Sequence, residues 1–449
     1  MYSTRYLFVL FFLFLFQFSS SQKQHFTKAQ IQEDLGILKE QLLELHPNLM
    51  VYHSKAAFNI FFDHLDLPEH TSVEEAYGII ASTSAIIQDG HTLFYPDIQL
   101  IKERNGNGHF IPLKIFWDGS SLFIDENYSS NKNINPGTRI IAINGIYSEE
   151  LIDFMLQRMM RDGNNLNYPI WVLNQYFFEY YSYFYGCPKT FRLMIEDNNG
   201  TQKEVALEGL LKADLFEERN ANDKERKGID IVLNQPNSTA ILTIKDWHNS
   251  ILKKYYQQNF KKEITQIFEY IKEKKIKNLV IDVRDNQGGD TQNSKLVLSY
   301  LLEQPFQLVE EYKVVKKGEL VDAKGPQMGW HQTKKDAFQG RILVLLNGGS
   351  FSNTGIFCAA LKKYNRAIFI GEETGGSAFV ICGNTKRITL PNTKIQIDLP
   401  RLQFLIQPYQ LSNLSGIKPD YEIKPTIKNL IEGRDAAKEF AMKLIQEAM

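Results

Sequence analysis

Two serines separated by one residue stand where a strongly apolar segment of the sequence ends. Residues 343–346 are apolar, Asn-Gly-Gly follows, and Ser350 and Ser352 precede a helical pattern. A hydroxyl at the turn between a buried strand and a helix lies beside backbone N–H groups, as a nucleophilic serine requires. Such a hydroxyl is inert near neutral pH until a neighbouring base removes its proton. The predicted chemistry therefore needs a base from elsewhere in the chain.

Two further glycine-rich turns also follow apolar segments. One is DVRDNQGGDT at residues 282–291, which contains Gly288 and Gly289, and the other is GEETGGS at residues 371–377. A Gly-Gly pair leaves backbone N–H groups uncovered, which suits an oxyanion. Turns that follow parallel strands meet at one edge of a sheet, where α/β proteins build their sites. We expect the three turns to form one site.

The elements that must position these turns divide the chain into parts with different sequence patterns. Apolar residues recur at helical spacing between residues 24 and 90, and short strands with turns follow from residue 109. The charged stretch at residues 212–227 is typical of a linker. After it, apolar strands alternate with amphipathic helices, which predicts a largely parallel sheet covered on both faces. The predicted fold class is therefore α/β.

At this point the residues resemble a known family. In order and spacing, NLVIDVRDNQGG, FQGRILVLLNGGSFSNTGIFCAAL, AIFIGEETGGS and GIKPD resemble the catalytic domain of the C-terminal processing (tail-specific) serine proteases. PGTRIIAING resembles part of that family's PDZ-like domain, and LHPNL and QDGHT resemble its N-terminal helical region. The resemblance implies a ClpP/crotonase-like catalytic domain at residues 228–449, a linker at 212–227, a divergent PDZ-like domain at 106–211 and a helical region at 22–105. An aromatic segment, YPIWVLNQYFFEYYSYFYG, interrupts the PDZ-like part.

The resemblance also assigns the nucleophile and the base. It puts the nucleophile at Ser352, with Ser350 and Phe351 shaping the turn. One branch of the family takes its base from a lysine in the G-E-x-T-x-G-K loop, but this chain has Ser377 there. The other branch, which includes the tricorn core protease and proteins resembling the retinoid-binding repeats, uses a histidine in a motif close to D-G-H-T. His91 is the predicted base.

The remaining roles follow from the same resemblance. Gly289, together with Gly288, and Asn353 are the predicted oxyanion donors. In the histidine branch a glutamate shortly before G-x-x-P-D orients the base, and Asn413 stands at that position here. Asparagine can hold a histidine tautomer but cannot neutralise an imidazolium. Asp89 and Glu373 are the alternative orienting residues, although Glu373 is better interpreted as a loop residue facing water or a backbone N–H.

Composition excludes several other classes of protein. The net charge of −1 over 449 residues gives no indication of a nucleic-acid partner. Three widely spaced cysteines do not form a disulfide framework; one bridge is compatible with them, but we expect buried thiols. No Cys/His spacing indicates a metal site, and no motif indicates a cofactor.

The N-terminus has the pattern of a secretory signal peptide. Arg5 precedes an apolar block at residues 7–18, and three serines at 19–21 supply a small-residue cleavage site. The block is shorter than the roughly 20 residues of a membrane span. We therefore expect residues 1–21 to be removed and the mature protein to be exported, periplasmic or extracellular, without stable membrane insertion.

The leading functional hypothesis is a secreted serine peptidase that hydrolyses peptides or unfolded proteins. Its PDZ-like domain would capture substrate C-termini by strand addition. The alternative is a catalytically weak or inactive relative that binds an extended peptide or an apolar ligand. A third idea is acyl-CoA chemistry on the crotonase-type core, but nothing in the sequence resembles a CoA phosphate site.

Overall fold

The computed structural model describes residues 25–197, 199–220, 227–234, 238–408 and 415–447. Helices and strands are mixed throughout these residues, so the α/β class is confirmed at that level. The predicted signal peptide and Asn413 lie outside the described residues. The predicted linker begins as a helix over residues 212–220, and residues 221–226 also lie outside the description.

The N-terminal part is mainly helical, as its apolar spacing predicts. Its first helix begins with a capping box at Thr27 and buries Ile31, Leu35, Leu38 and Leu42 along one stripe. Its elements are β1 (His25–Thr27), α1 (Lys28–Leu45), α2 (Lys55–Asp63), β2 (His70–Ser72), α3 (Val73–Ala81), α4 (Ser84–Ile87), β3 (Leu93–Tyr95) and α5 (Ile98–Asn107).

The middle part is built on an antiparallel sheet of order β10-β9-β7-β6-β5, with β8 paired to β7. The segments FRLMIE and KEVALEG form an antiparallel hairpin, strands β9 and β10. The aromatic segment forms helix α7, inserted between two strands of this sheet. The elements are β4 (His109–Phe110), β5 (Leu113–Trp117), β6 (Leu122–Asn127), β7 (Arg139–Ile143), β8 (Ile146–Tyr147), α6 (Ser148–Leu156), α7 (Asn167–Tyr185), β9 (Thr190–Glu196), β10 (Gln202–Glu208), β11 (Leu210–Leu211) and α8 (Lys212–Asn220).

The C-terminal part contains the predicted buried sheet, of order β12-β13-β14-β19-β20-β25. Only the β12–β13 pair is antiparallel; the other neighbours are parallel, as predicted. The elements are β12 (Ile229–Asn234), β13 (Thr239–Ile244), α9 (Asn249–Tyr255), α10 (Phe260–Glu273), β14 (Asn278–Asp282), α11 (Thr291–Leu301), β15 (Phe306–Gln307), β16 (Glu311–Lys316), β17 (Glu319–Asp322), β18 (Trp330–His331), β19 (Arg341–Leu346), α12 (Asn353–Lys363), β20 (Ile368–Gly371), β21 (Val380–Gly383), β22 (Lys386–Thr389), β23 (Gln396–Leu399), β24 (Leu402–Leu405), β25 (Tyr421–Glu422), α13 (Ile427–Ile431) and α14 (Ala436–Gln446).

The three glycine-rich turns meet at one edge of this sheet. They follow β14, β19 and β20, which are consecutive parallel neighbours, so their carboxyl ends point the same way. This confirms the expected grouping of the turns. The N-terminal part is joined to the same region because β3 pairs with β23. That pairing brings the segment before β3, which contains His91, against the turn that follows β19.

Three further findings bear on the sequence predictions. Cys187, Cys358 and Cys382 are free thiols; Cys358 and Cys382 are buried and Cys187 is only partly so. Within the described ranges, no group of three or more His, Cys, Asp or Glu side chains could hold a metal ion. None of the described helices is both long enough and apolar enough to cross a bilayer.

Candidate active site

The two serines of the β19–α12 turn have different environments. Ser350 is fully buried; its hydroxyl donates to the carbonyl of Val283 at 2.8 Å and accepts the N–H of Asn347 at 3.2 Å. Ser352 is partly exposed and adopts φ +53° and ψ −121°. A non-glycine residue at such angles costs on the order of 1–3 kcal/mol and persists only where its surroundings impose it. Ser350 therefore holds the turn, and Ser352 presents its hydroxyl from a strained position.

The turn that precedes Ser352 packs closely against the start of α7. A Cβ added to Gly348 would lie 2.2 Å from the carbonyl oxygen of Asn167, and one added to Gly349 would lie 2.4 Å from the ring of Trp171. Trp171 is anchored in turn, because its Nε1 donates to Asp285 at 2.8 Å. Only glycine allows this approach of the two backbones.

His91, the predicted base, reaches Ser352 across 261 positions of sequence. Its Nε2 lies 3.0 Å from Ser352 Oγ, the distance of a hydrogen bond. Burial lowers the pKa of His91; the Asp89 carboxylate partly offsets this, and His46 adds to the lowering. The imidazole is therefore neutral at pH 7. It can accept the serine proton at Nε2 only when its own proton is on Nδ1.

Among the described residues, the other ring nitrogen has no partner of the kind that a triad supplies. His91 Nδ1 is buried and has no hydrogen-bond partner among the described residues. Asp89 bonds to the backbone N–H of His91, at 2.9 Å, rather than to the ring. Glu373 accepts the N–H of Gly416 at 2.7 Å, which agrees with its interpretation as a loop residue facing a backbone N–H. Neither alternative orienting residue hydrogen-bonds to the imidazole.

The D-G-H-T turn is held instead through its backbone and its neighbours. Asp89 Oδ1 also accepts the hydroxyl of Thr92 at 3.1 Å, and His46 Nε2 lies 3.2 Å from that hydroxyl. The N–H of Asn48 donates to His46 Nδ1 at 3.1 Å, so the proton of a neutral His46 is on Nε2. Burial alone would raise the pKa of Asp89, but the interactions with His46, His91 and Cys382 together outweigh burial and hold that pKa below its usual value. The LHPNL motif thus supports the segment that carries His91.

Asp162 is a site residue that sequence reasoning missed. Its buried carboxylate accepts the N–H of Gly90 at 2.7 Å and the N–H of Ser377 at 2.9 Å, which ties the His91 turn to the turn after β20. Burial, with the nearby charge of Asp89, raises the pKa of Asp162 to about 7. No motif marks this aspartate, because its partners are backbone groups from two distant segments.

The N–H groups of the three predicted oxyanion donors are not equivalent. The N–H of Gly288 already donates to Asn286 Oδ1 at 3.0 Å. The N–H groups of Gly289 and Asn353 have no hydrogen-bond partner among the described residues. Gly288 has φ +111°, and a Cβ there would lie 2.7 Å from Ser352 Cβ, so this backbone closely approaches the nucleophile. The Asn353 side chain is fixed, since its Oδ1 accepts the Ser294 hydroxyl at 2.7 Å.

Aromatic rings stack beneath the base. The ring centroids of His91 and Phe351 are 4.7 Å apart at an interplanar angle of 30°. Phe351 stacks on Tyr168 at 4.1 Å and 8°, and Tyr168 stacks on Trp171 at 6.0 Å and 9°. Tyr168 and Trp171 belong to the aromatic segment that interrupts the middle part of the sequence. That segment therefore packs directly against the candidate site.

Part of the chain is similar to known serine proteases. Residues 238–423 match the model of peptidase family S41. The chain is 25% identical over 180 residues to the tail-specific protease of Haemophilus influenzae, covering 38% of this chain and 24% of that protein. It is 32% identical over 112 residues to the carboxy-terminal-processing protease of Bartonella bacilliformis, covering 24% and 23%. The chain thus spans about a quarter of the length of each of these relatives.

The fold has a match over nearly its whole length. The crystal structure of mature CPAF superposes with a TM-score of 0.65 at 14% identity, covering 93% of this chain and 96% of that one. At that identity the likeness concerns the fold alone. Residues 238–423 therefore resemble peptidase family S41, and the two relatives that match this chain are named as tail-specific and carboxy-terminal-processing proteases.

Proposed function

We propose that this protein is an exported serine peptidase in which Ser352 is the nucleophile and His91 is the general base. Ser352 Oγ attacks a peptide carbonyl while His91 Nε2 takes its proton, and the resulting imidazolium then protonates the leaving amine. In the second half of the reaction, His91 Nε2 takes a proton from water, which attacks the acyl-enzyme. His91 then returns that proton to Ser352 Oγ as the acid product leaves. The 3.0 Å hydrogen bond between these atoms, at a serine of strained conformation, supports the proposal most directly.

The oxyanion of the tetrahedral intermediate would be bound by the N–H groups of Gly289 and Asn353. Both are unpartnered among the described residues, and Asn353 is the first residue of an 11-residue helix. The positive end of that helix adds to the stabilisation of a negative charge. Each such donor contributes on the order of 2.7–4 kcal/mol to transition-state stabilisation.

The substrates would be peptides or unfolded proteins, recognised in part by their C-termini. The names of the two relatives describe tail-specific and carboxy-terminal processing, and the middle part of this chain offers a sheet with two edge strands, β5 and β10. An extended peptide adds to such an edge through main-chain hydrogen bonds. Export follows from the signal-peptide pattern of residues 1–21, which precede the described residues.

Covalent labelling tests the assignment. A fluorophosphonate should modify the purified protein at Ser352, as located by peptide mass spectrometry. Ser352→Ala should abolish labelling and hydrolysis of unfolded casein, and His91→Ala should reduce both strongly. Ser250→Ala, which removes an exposed hydroxyl, should behave like the wild type. Labelling of the Ser352→Ala variant at the wild-type rate would refute the assignment.

A non-catalytic relative that binds an extended peptide is the second candidate. The buried Nδ1 of His91, which has no partner among the described residues, favours it, because an unoriented base is a poor catalyst. This function predicts that wild-type protein binds unfolded peptides without cleaving them and is not labelled at Ser352. Hydrolysis that disappears in His91→Ala would eliminate it.

A further inference from the structure

The base of the proposed mechanism has an aromatic ring against its face and, among the described residues, no hydrogen-bonding partner at its second nitrogen. His91 Nδ1 has no hydrogen-bond partner among the described residues, whereas the face of the imidazole lies against Phe351 at a centroid separation of 4.7 Å. We infer that Phe351 is a positioning residue that orients the His91 ring and stabilises its protonated form, in place of a carboxylate at Nδ1. The catalytic part of this inference rests on the proposed function. The effect of Phe351 on the orientation and pKa of His91 does not depend on that function.

Phe351 can orient another ring because its own position is closely determined. Its side chain is 3% exposed and stacks on Tyr168 at 4.1 Å. The Tyr168 hydroxyl donates to Gln287 at 3.1 Å, which fixes the supporting ring. A Cβ added to Gly90 would lie 2.6 Å from Phe351 Cζ, and one added to Gly376 would lie 3.1 Å from Cδ2. The ring is therefore packed along its edge as well as on its face.

The contact is also suited to charge stabilisation. Tyr168 covers one face of Phe351 in a near-parallel stack, which leaves the opposite face for His91. The face of an aromatic ring is negative, and a cation within about 6 Å of its centroid is attracted to it, most strongly when water is excluded. Proton transfer from Ser352 converts His91 into such a cation. The ring thus favours the charge that develops on the base during the reaction.

The ring acts together with the other groups that bear on His91. Burial disfavours the imidazolium, His46 disfavours it further, and the Asp89 carboxylate favours it. Asp162 bears on His91 through the backbone, since its carboxylate accepts the N–H of Gly90. Asp89 bonds to the backbone N–H of His91 rather than to its ring. Phe351 contacts the face of the imidazole itself.

Fluorination at Phe351 separates the electrostatic role from packing. In the full chain, Phe351 is replaced site-specifically by 4-fluoro-, 3,5-difluoro- or 3,4,5-trifluorophenylalanine. Each added fluorine keeps the shape of the ring but further weakens the negative electrostatic potential of its face. The pKa of His91 is followed by NMR of ¹³C-labelled histidines, and its signal is identified by its loss in His91→Ala. We expect this pKa to fall stepwise, by about 1 over the series, and the fluorophosphonate labelling rate to fall about 10-fold in parallel.

A matched control position exists away from the site. Phe268 stacks on Tyr300 at 4.4 Å and 6°, so the same fluorinated residues there should leave the His91 pKa and the labelling rate unchanged. A His91 pKa that stays constant across the Phe351 series would overturn the inference, and so would an equal shift from the Phe268 series. Absence of labelling in the wild type would instead refute the proposed function, while the titration would still decide the role of Phe351.

Discussion

Gly90 is the position at which a single methyl group should disrupt the candidate site most selectively. A Cβ there would lie 2.6 Å from Phe351 Cζ, 2.8 Å from Cε2 and 3.0 Å from Asp162 Oδ1. Ordinary contacts begin at 3.4 Å, so in Gly90→Ala the methyl group must move by about 0.8 Å. The packed ring and the buried carboxylate leave little room, so the backbone bearing His91 should move with it.

A displacement of this size is sufficient to break the hydrogen bond of the base. His91 Nε2 and Ser352 Oγ are 3.0 Å apart, and a further 0.8 Å along that line exceeds hydrogen-bonding distance. Misplacement of a catalytic group by about 1 Å costs on the order of 100-fold in rate, or about 2.7 kcal/mol. We therefore expect Gly90→Ala to lower kcat about 100-fold with little change in KM. Overpacking should also lower the free energy of unfolding by about 1–3 kcal/mol.

The assay is the rate of fluorophosphonate labelling together with steady-state hydrolysis of a peptide, and circular dichroism verifies the fold. Gly355→Ala is the matched control, because Gly355 lies in the nucleophile helix and the nearest atom to its Cβ would be Ile381 Cδ1 at 3.5 Å. It should keep full activity and gain up to about 1 kcal/mol of stability. A Gly90→Ala variant that is labelled within 3-fold of the wild-type rate would refute this reasoning.

Asp162, Gly289 and Asp34 offer three further tests. Since only ionised Asp162, with its pKa raised to about 7, accepts both of its N–H donors, activity should rise with pH through about 7. In Asp162→Asn the rise in activity near pH 7 should disappear, and only the rise caused by deprotonation of His91, at lower pH, should remain. An unchanged pH–rate profile would contradict this. In Gly289→Ala the added Cβ would lie 2.6 Å from the nearest backbone nitrogen, at a residue with φ +132°, so the backbone must shift. We expect kcat to fall by about 10²–10³, and a variant with the full rate would exclude an oxyanion role for Gly289. Asp34→Ala leaves the N–H and the hydroxyl of Thr393 without their buried acceptor. We expect the free energy of unfolding, measured by urea titration, to fall by about 3 kcal/mol. A loss below about 1 kcal/mol would show that water replaces the carboxylate.

Much of the fold was predictable because it is encoded by local patterns. The stripe of Ile31, Leu35, Leu38 and Leu42 predicted α1, and the continuously apolar strands predicted a parallel sheet. The grouping of three glycine-rich turns followed from the rule that parallel strands end at one edge. Placement of the base segment was a different matter, since it depends on the pairing of β3 with β23, about 300 residues later in the chain.

The sequence by itself determined which residue types stand at the sheet edge: a serine after a buried strand, glycines whose N–H groups are uncovered, and a histidine in a motif of its own. The tertiary structure alone decided their relations. It brought His91 Nε2 to 3.0 Å from Ser352, engaged the N–H of Gly288 with Asn286, and buried Asp162 between two backbone segments. It also set Phe351 beneath the imidazole. The physical reason is that turns and periodicities are local properties, whereas burial and hydrogen-bond pairing depend on which distant segments pack together.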